Sequence, residues 1–182
     1  QTGALTGRGT AALLSDEETF TNNSVTGSAS TAGVIALDVT DESLTDSDGI
    51  RYSITVPDTG NNNPSYIWVQ PTNCPDDAAT EIDIELRVEC ENDGNVVIAT
   101  GTLEDVVNDL RTNEGEPLRC SSGENARCFE PGETVDLVLE VTSSNVDTEI
   151  NITFEFYAEQ CRYNTGTSTP FDSLSSCNGI TT

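Results

Sequence analysis

The chain has 182 residues and a formal net charge of −25, from 7 basic and 32 acidic residues. Every basic residue is arginine, and histidine, lysine and methionine are absent. Without histidine there is no Ser-His-Asp triad, Cys-His pair or HExxH zinc site, without lysine no P-loop or Schiff base, and without a basic stripe no surface for nucleic acid.

Residues 1–16, QTGALTGRGTAALLSD, carry a single charge, Arg8, before Asp16. Gly3, Gly7 and Gly9 make the segment pliable. Ala4, Leu5, Ala11, Ala12, Leu13 and Leu14 call for burial without a helical period. The segment reads as an extended strand that pairs with another sheet; the alternative is a frayed terminus. Residues 17–182 read as one β domain, with a Ser/Thr/Asn-rich tail from about 163.

Strand-like runs follow a polar stretch at 17–32. Residues 33–40 (GVIALDVT) are β-rich. Residues 49–56 (GIRYSITV) alternate and stop at Pro57, and residues 66–69 form a short apolar run between Pro64 and Pro71. Tyr66 and Trp68 there read as core or corner residues. Residues 81–90 are the clearest strand. Ile82, Ile84, Leu86, Val88 and Cys90 share one face, and Glu81, Asp83, Glu85, Arg87 and Glu89 the other. Asn92–Asp93–Gly94–Asn95 reads as a tight hairpin turn, with 96–100 as the return strand.

A single short crossover helix is expected at about 102–111. Thr102 can cap it, Asp105 sits at the capping-box position, and Leu103, Val106, Val107 and Leu110 form a stripe of helical period. Residues 112–132 read as loop. The run 134–142 buries Val135, Leu137, Leu139 and Val141, and the run 149–159 buries Ile150, Ile152, Phe154, Phe156 and Ala158. About seven short strands with turn-rich connections predict an all-β fold, a jelly-roll β-sandwich with an extended N-terminal strand.

Six cysteines, Cys74, Cys90, Cys120, Cys128, Cys161 and Cys177, form no CxxC pair. Their even number predicts disulfides and an oxidising, extracellular location. Six cysteines allow 15 connectivities; spacing hints at Cys120 with Cys128 and Cys161 with Cys177. Asn22 and Asn151 begin N-glycosylation sequons, Asn151 at an outward position of the last strand. Residues 41–49, DESLTDSDG, gather oxygen ligands without EF-hand spacing and read as an acidic turn. No metal, cofactor or catalytic residue is expected. No stretch reaches the roughly 20 apolar residues of a membrane span. A secreted chain of this kind has already lost its signal peptide, with Gln1 as the mature terminus. Arginine without lysine on an acidic surface is the habit of proteins that work in brine.

Several segments together resemble the TasA/camelysin family of exported fibre proteins, in particular its haloarchaeal branch and bundling-pilus-like subunits. They are TAALLSDEETF at 10–20, AGVIALDV at 32–39, NPSYIWV at 63–69, GTLEDVVNDL at 101–110, CFEPGET at 128–134 and FEFYAEQCRYN at 154–164. Asn61 and Asn62 stand where relatives often carry a cysteine before the Asn-Pro. The resemblance implies an extracellular jelly-roll subunit of a pilus or biofilm-matrix filament, with identical subunits as partners in a head-to-tail homopolymer. The N-terminal strand of one subunit inserts into a sheet of the next, which is donor-strand complementation. Ala4, Leu5, Gly7, Gly9, Ala11, Ala12, Leu13 and Leu14 are the expected donor residues. The alternative is a monomeric secreted binding or adhesion module that contacts glycans or other cell surfaces.

Overall fold

The computed structural model describes residues 12–15, 37–44, 49–59, 62–143, 150–163, 165–169 and 171–177. The strands are β1 (Ala12–Ser15), β2 (Asp38–Ser43), β3 (Gly49–Thr55), β4 (Ser65–Pro71), β5 (Asp83–Cys90), β6 (Gly94–Thr102), β7 (Glu116–Pro117), β8 (Cys128–Phe129), β9 (Thr134–Val141) and β10 (Phe154–Gln160). The helix α1 spans Leu103–Thr112, and a short 3₁₀ turn, Cys161–Tyr163, follows β10. The fold is an all-β sandwich of two antiparallel sheets. One sheet has the order β1-β10-β4-β7, with β8 also paired to β4; the other has the order β2-β3-β9-β5-β6.

The period-two pattern is what builds the sandwich. Ile84, Leu86 and Val88 of β5 and Val135, Leu137 and Leu139 of β9 turn inward to meet Ile67 and Val69 of β4 and Phe154, Phe156 and Ala158 of β10. Tyr52 of β3 sits at the centre, edge-on to Phe154 with ring centroids 5.5 Å apart and tilted against Phe156 at 6.0 Å. Aromatic pairs in this arrangement add about 0.5–1.5 kcal/mol each beyond their buried area. The helix lies where expected. Thr102 caps it by accepting from the Asp105 N–H at 3.2 Å, and Leu103, Val106, Val107 and Leu110 bury its stripe in the core.

The expected elements are corrected in four places. Residues 112–132 are more than loop, because β7 and β8 add two residues each to the free edge of β4. The last strand begins at Phe154 and not at residue 149, so Asn151 precedes it. The described strands number ten, above the expected seven. The tail beyond 163 is a strap: residues 165–169 and 171–177 run back across the outside of the β10-β4 sheet.

On the opposite outer face, arginine organises the acids. Arg51 pairs with Glu89 at 2.8 Å, Asp136 at 3.4 Å and Glu42 at 3.5 Å. Arg87 pairs with Glu89 at 2.8 Å, with Glu85 at 3.4 Å and with Glu140. Burial works against the Arg87 charge, but hydrogen bonds to Glu89 and Glu140 outweigh it and hold its pKa above the ordinary value. Val138 lies opposite both Arg51 and Arg87 in the ladders and is 0% exposed. The two arginine stems thus roof an apolar residue that alternation would leave in solvent.

Candidate functional site

β10 is a strand with two different neighbours. On one side β4 matches it along its whole length, from Phe154 opposite Pro71 to Gln160 opposite Ser65. On the other side lies β1 alone. Ala12 stands opposite Ala158, Leu13 opposite Tyr157, Leu14 opposite Phe156 and Ser15 opposite Glu155. β1 is an end strand of its sheet, so without it β10 becomes that end. A sheet edge of unpaired N–H and C=O groups is a template for another strand.

The two rows of β10 differ in chemistry. Phe154, Phe156 and Ala158 face the core, so positions 12 and 14 of β1 stand opposite core residues. Glu155, Tyr157 and Glu159 face outward and are half-buried. Desolvation pushes the carboxyls of Glu155 and Glu159 above the ordinary carboxylate range. It also raises the Tyr157 phenol, with the negative charge of Glu159 as a second cause.

Packing against this outer row includes the strap. Phe171 is 8% exposed and meets Tyr157 edge-on, with centroids 6.1 Å apart. Two glycines make the close approach possible. A Cβ on Gly115 (φ +79°) would stand 2.8 Å from Phe171 Cδ2, and one on Gly166 (φ +64°) 2.9 Å from Tyr66 Cε1. The strap is then tied down by main-chain contacts. The buried amide of Gln70 donates to the Asp172 carbonyl at 3.0 Å, Leu174 N–H to the Arg111 carbonyl at 2.8 Å, and the Ser173 hydroxyl to the Thr112 carbonyl at 2.9 Å. Arg111, with its pKa lowered by burial, donates to the carbonyls of Thr72 at 2.5 Å and of Pro71 and Ser175 at 3.3 Å each. The far end is covalent, through Cys74–Cys177.

All six cysteines are oxidised, as Cys74–Cys177, Cys90–Cys120 and Cys128–Cys161, with Cα–Cα distances of 5.5, 5.7 and 6.0 Å. The pairings suggested by spacing, Cys120–Cys128 and Cys161–Cys177, are therefore wrong. Cys128 on β8 and Cys161 after β10 flank the start of β4 from opposite sides and join across it. Cys120 reaches Cys90 at the end of β5, and the strap delivers Cys177 to the segment after β4.

The remaining expected sites are scattered. Ala12, Leu13 and Leu14 lie on β1; Ala4, Leu5, Gly7, Gly9, Ala11 and Asn22 lie outside the described residues, as do residues 45–48 of the acidic turn. Asn151 is partly exposed, and its carbonyl accepts from the Asn73 side chain at 3.0 Å. Trp68 is buried, as expected, at 4% exposure, while Tyr66 is half-buried. They share the outer face of β4, where Trp68 stands opposite Tyr157 and Pro117. A shallow hollow of about 410 Å³ on the other sheet is lined by Glu89, Glu91 and Asp136 with Ser53, Asn95 and Thr134. Among the described residues no group of three Cys, Asp or Glu side chains is placed to hold a metal ion, and no helix is long and apolar enough to cross a membrane. Comparison with protein-family models, curated proteins and solved structures finds no match to this chain.

Proposed function

We propose that the chain is a structural, non-catalytic subunit of an extracellular filament, a pilus or biofilm-matrix fibre, that polymerises by donor-strand complementation. The edge of β10 that β1 covers is the acceptor, and residues 12–15 of the next subunit are the donor. The observation that carries this reading is the ladder itself: four residues of a nearly uncharged N-terminal segment pair with β10 and with no other strand. A strand lacking acidic residues fills that edge without bringing negative charge to a subunit already at −25. Insertion head to tail does not close on itself, so it generates an open fibre.

Three further observations support the reading. The strand orders β1-β10-β4-β7 and β2-β3-β9-β5-β6, with chain crossings between the sheets, are compatible with a jelly-roll form of the sandwich, which is part of this proposal. Three disulfides favour an oxidising, extracytoplasmic setting. The sequence segments that resemble the TasA/camelysin fibre proteins include both halves of the ladder, at 10–20 and 154–164. Glycans at Asn22 and Asn151 belong to the same proposal, as surface decoration of a secreted chain.

The same ladder also favours a second reading. When residues 12–15 of a chain pair with its own β10, the sandwich is self-complemented and stays a monomeric binding module. Electron microscopy of the purified full chain in molar salt separates the two. Regular single-subunit filaments, abolished by deletion of residues 1–14, are the expected result. Dispersed globules, or filaments indifferent to the deletion, overturn the donor-strand reading.

A further inference from the structure

We infer that the free edge of β6 is a second strand-pairing surface, and that its partner is the same edge of another copy of this chain, antiparallel, with Val97 of one copy beside Val97 of the other. The inference goes beyond the proposed function, because β6 ends the other sheet, the one that holds neither β1 nor β10.

End strands are normally guarded by charge, proline or shortness, since their unpaired N–H and C=O groups invite another strand. β2, at one end of this sheet, is guarded: its sequence DVTDES carries three acids in six residues. β6, at the other end, is not. It runs for nine residues, Gly94–Thr102, and its sequence GNVVIATGT has no charge and no proline. β5 is its one partner among the described strands. Val97 stands opposite Arg87 on the outward row and is 50% exposed, the one large apolar side chain so exposed among the described residues. The register shifts beside it, leaving Ile98 without an opposite residue. Such a bulge bends the strand and limits how far a new ladder can run, so the contact is a short one.

Charge selects the occupant. A chain at −25 repels its own copies over most of its surface. Two copies can meet where the surface carries no charge, and β6 is such a strip. Joined edge to edge, their β5 strands lie three strand spacings apart, about 14 Å. That exceeds the Debye length of about 8 Å at 0.15 M salt, so the acids of the two β5 strands are largely screened from each other. Glu85 and Glu89 are also held by Arg87 within each copy. A basic foreign strand would gain little here, because the outward side chains of β6 that it would meet are Asn95, Val97 and Thr100. An antiparallel pair of identical edges is self-complementary about a two-fold axis. With that axis at Val97 the two valines stand opposite, with Cβ atoms about 4.5–5.5 Å apart, and cover each other.

The test is disulfide trapping in the full chain. Val97→Cys in a glutathione redox buffer at molar salt should give covalent dimers. Thr100→Cys, exposed on the same outward row, is the control. In the inferred register its two copies lie about 20 Å apart along the strands, out of disulfide reach. Val97→Cys should therefore cross-link at least about tenfold faster than Thr100→Cys. Val97→Asp sets two like charges face to face and should weaken dimers of the parent about tenfold, read by sedimentation of the chains that stay outside filaments. Dimers of the parent should tighten as salt rises from 0.1 M towards molar levels, about as expected for screened like charges. Equal cross-linking of the two cysteine variants, or association unmoved by Val97→Asp, overturns the inference. Filaments without the Val97 link leave the donor-strand reading standing and remove this contact. The link in chains that form no filaments upholds this contact while the donor-strand reading fails.

Discussion

Val138 shows how a single residue can be misread from its neighbours. In β9 the alternation of Val135, Leu137 and Leu139 assigns the odd positions to the core, and Val138 then belongs in solvent. It is fully buried all the same, because Arg51 and Arg87 lie over it from the two adjacent strands. Each arginine here acts both as a charge among carboxylates and as an apolar roof. Substitution separates the two roles. Arg87→Met keeps the stem and removes the charge, leaving Glu85, Glu89 and Glu140 closer to mutual repulsion; it should cost about 1–2 kcal/mol in 0.1 M salt and much less in molar salt, where screening shortens to about 3 Å. Arg87→Ala also uncovers Val138 and should cost about 1–2 kcal/mol more at every salt concentration. Urea unfolding at two salt concentrations measures both. Equal salt dependence of the two variants, with no residual difference between them, would refute the roof.

Elements were legible wherever burial has a period. β5 and β10 alternate cleanly, and α1 carries a capping threonine and a helical stripe, so the sandwich and its helix are legible in the sequence. β7 and β8 could not, since two residues have no period; they form because the second edge of β4 must be paired. The disulfides resisted for a related reason. Cys128 and Cys161 are brought together by strand order, which no local spacing encodes. The strap was the largest loss. Its Ser/Thr/Asn-rich composition reads as a solvated tail, while the contacts that dock it are main-chain carbonyls and the space over two glycines, neither of which leaves a trace in composition. Phe171 and Leu174 are its apolar signals. Because the strap is tied at its far end, Cys74→Ser with Cys177→Ser should act locally as well as globally. The closed segment has a sequence separation of 103, which corresponds to about 4–5 kcal/mol of chain entropy in a fully unfolded reference. The separations of 30 and 33 in the other two disulfides correspond to about 1 kcal/mol less. Hydrogen exchange of the double variant should show residues 165–177 opening first while β3, β9 and β5 stay protected. Uniform loss of protection across both sheets would instead make the disulfide a global brace.

The whole molecule is governed by the imbalance of 32 acids against 7 arginines. Arg51, Arg87, Arg119 and Arg127 are each held by carboxylates, so added salt weakens some attractions. The acids far outnumber them, and the repulsion that salt relieves is the larger sum. Raising salt from 0.1 M to molar levels should therefore raise the melting temperature, by about 3 °C or more for each kcal/mol recovered. Acid should act in the same sense over a defined range. Glu155 and Glu159 have carboxyl pKa values raised by desolvation in the folded state. Between their ordinary value and the raised one, the folded protein holds protons that the unfolded chain has lost. Stability then falls as pH rises through that window and is recovered as pH is lowered through it. Stronger acid neutralises the carboxylates around Arg51 and Arg87, and stability turns down again. Glu155→Gln with Glu159→Gln removes the first effect and leaves the second. That variant should be more stable than the parent at pH 7 and should gain less on mild acidification. If β10 is the acceptor strand proposed above, both residues flank Tyr157 on it, and filaments of the parent chain should follow the same curve, assembling more readily as pH drops towards the carboxylate range. A parent and variant with superimposable pH profiles, in unfolding and in assembly alike, would show that the outer row of β10 is too well solvated to take part.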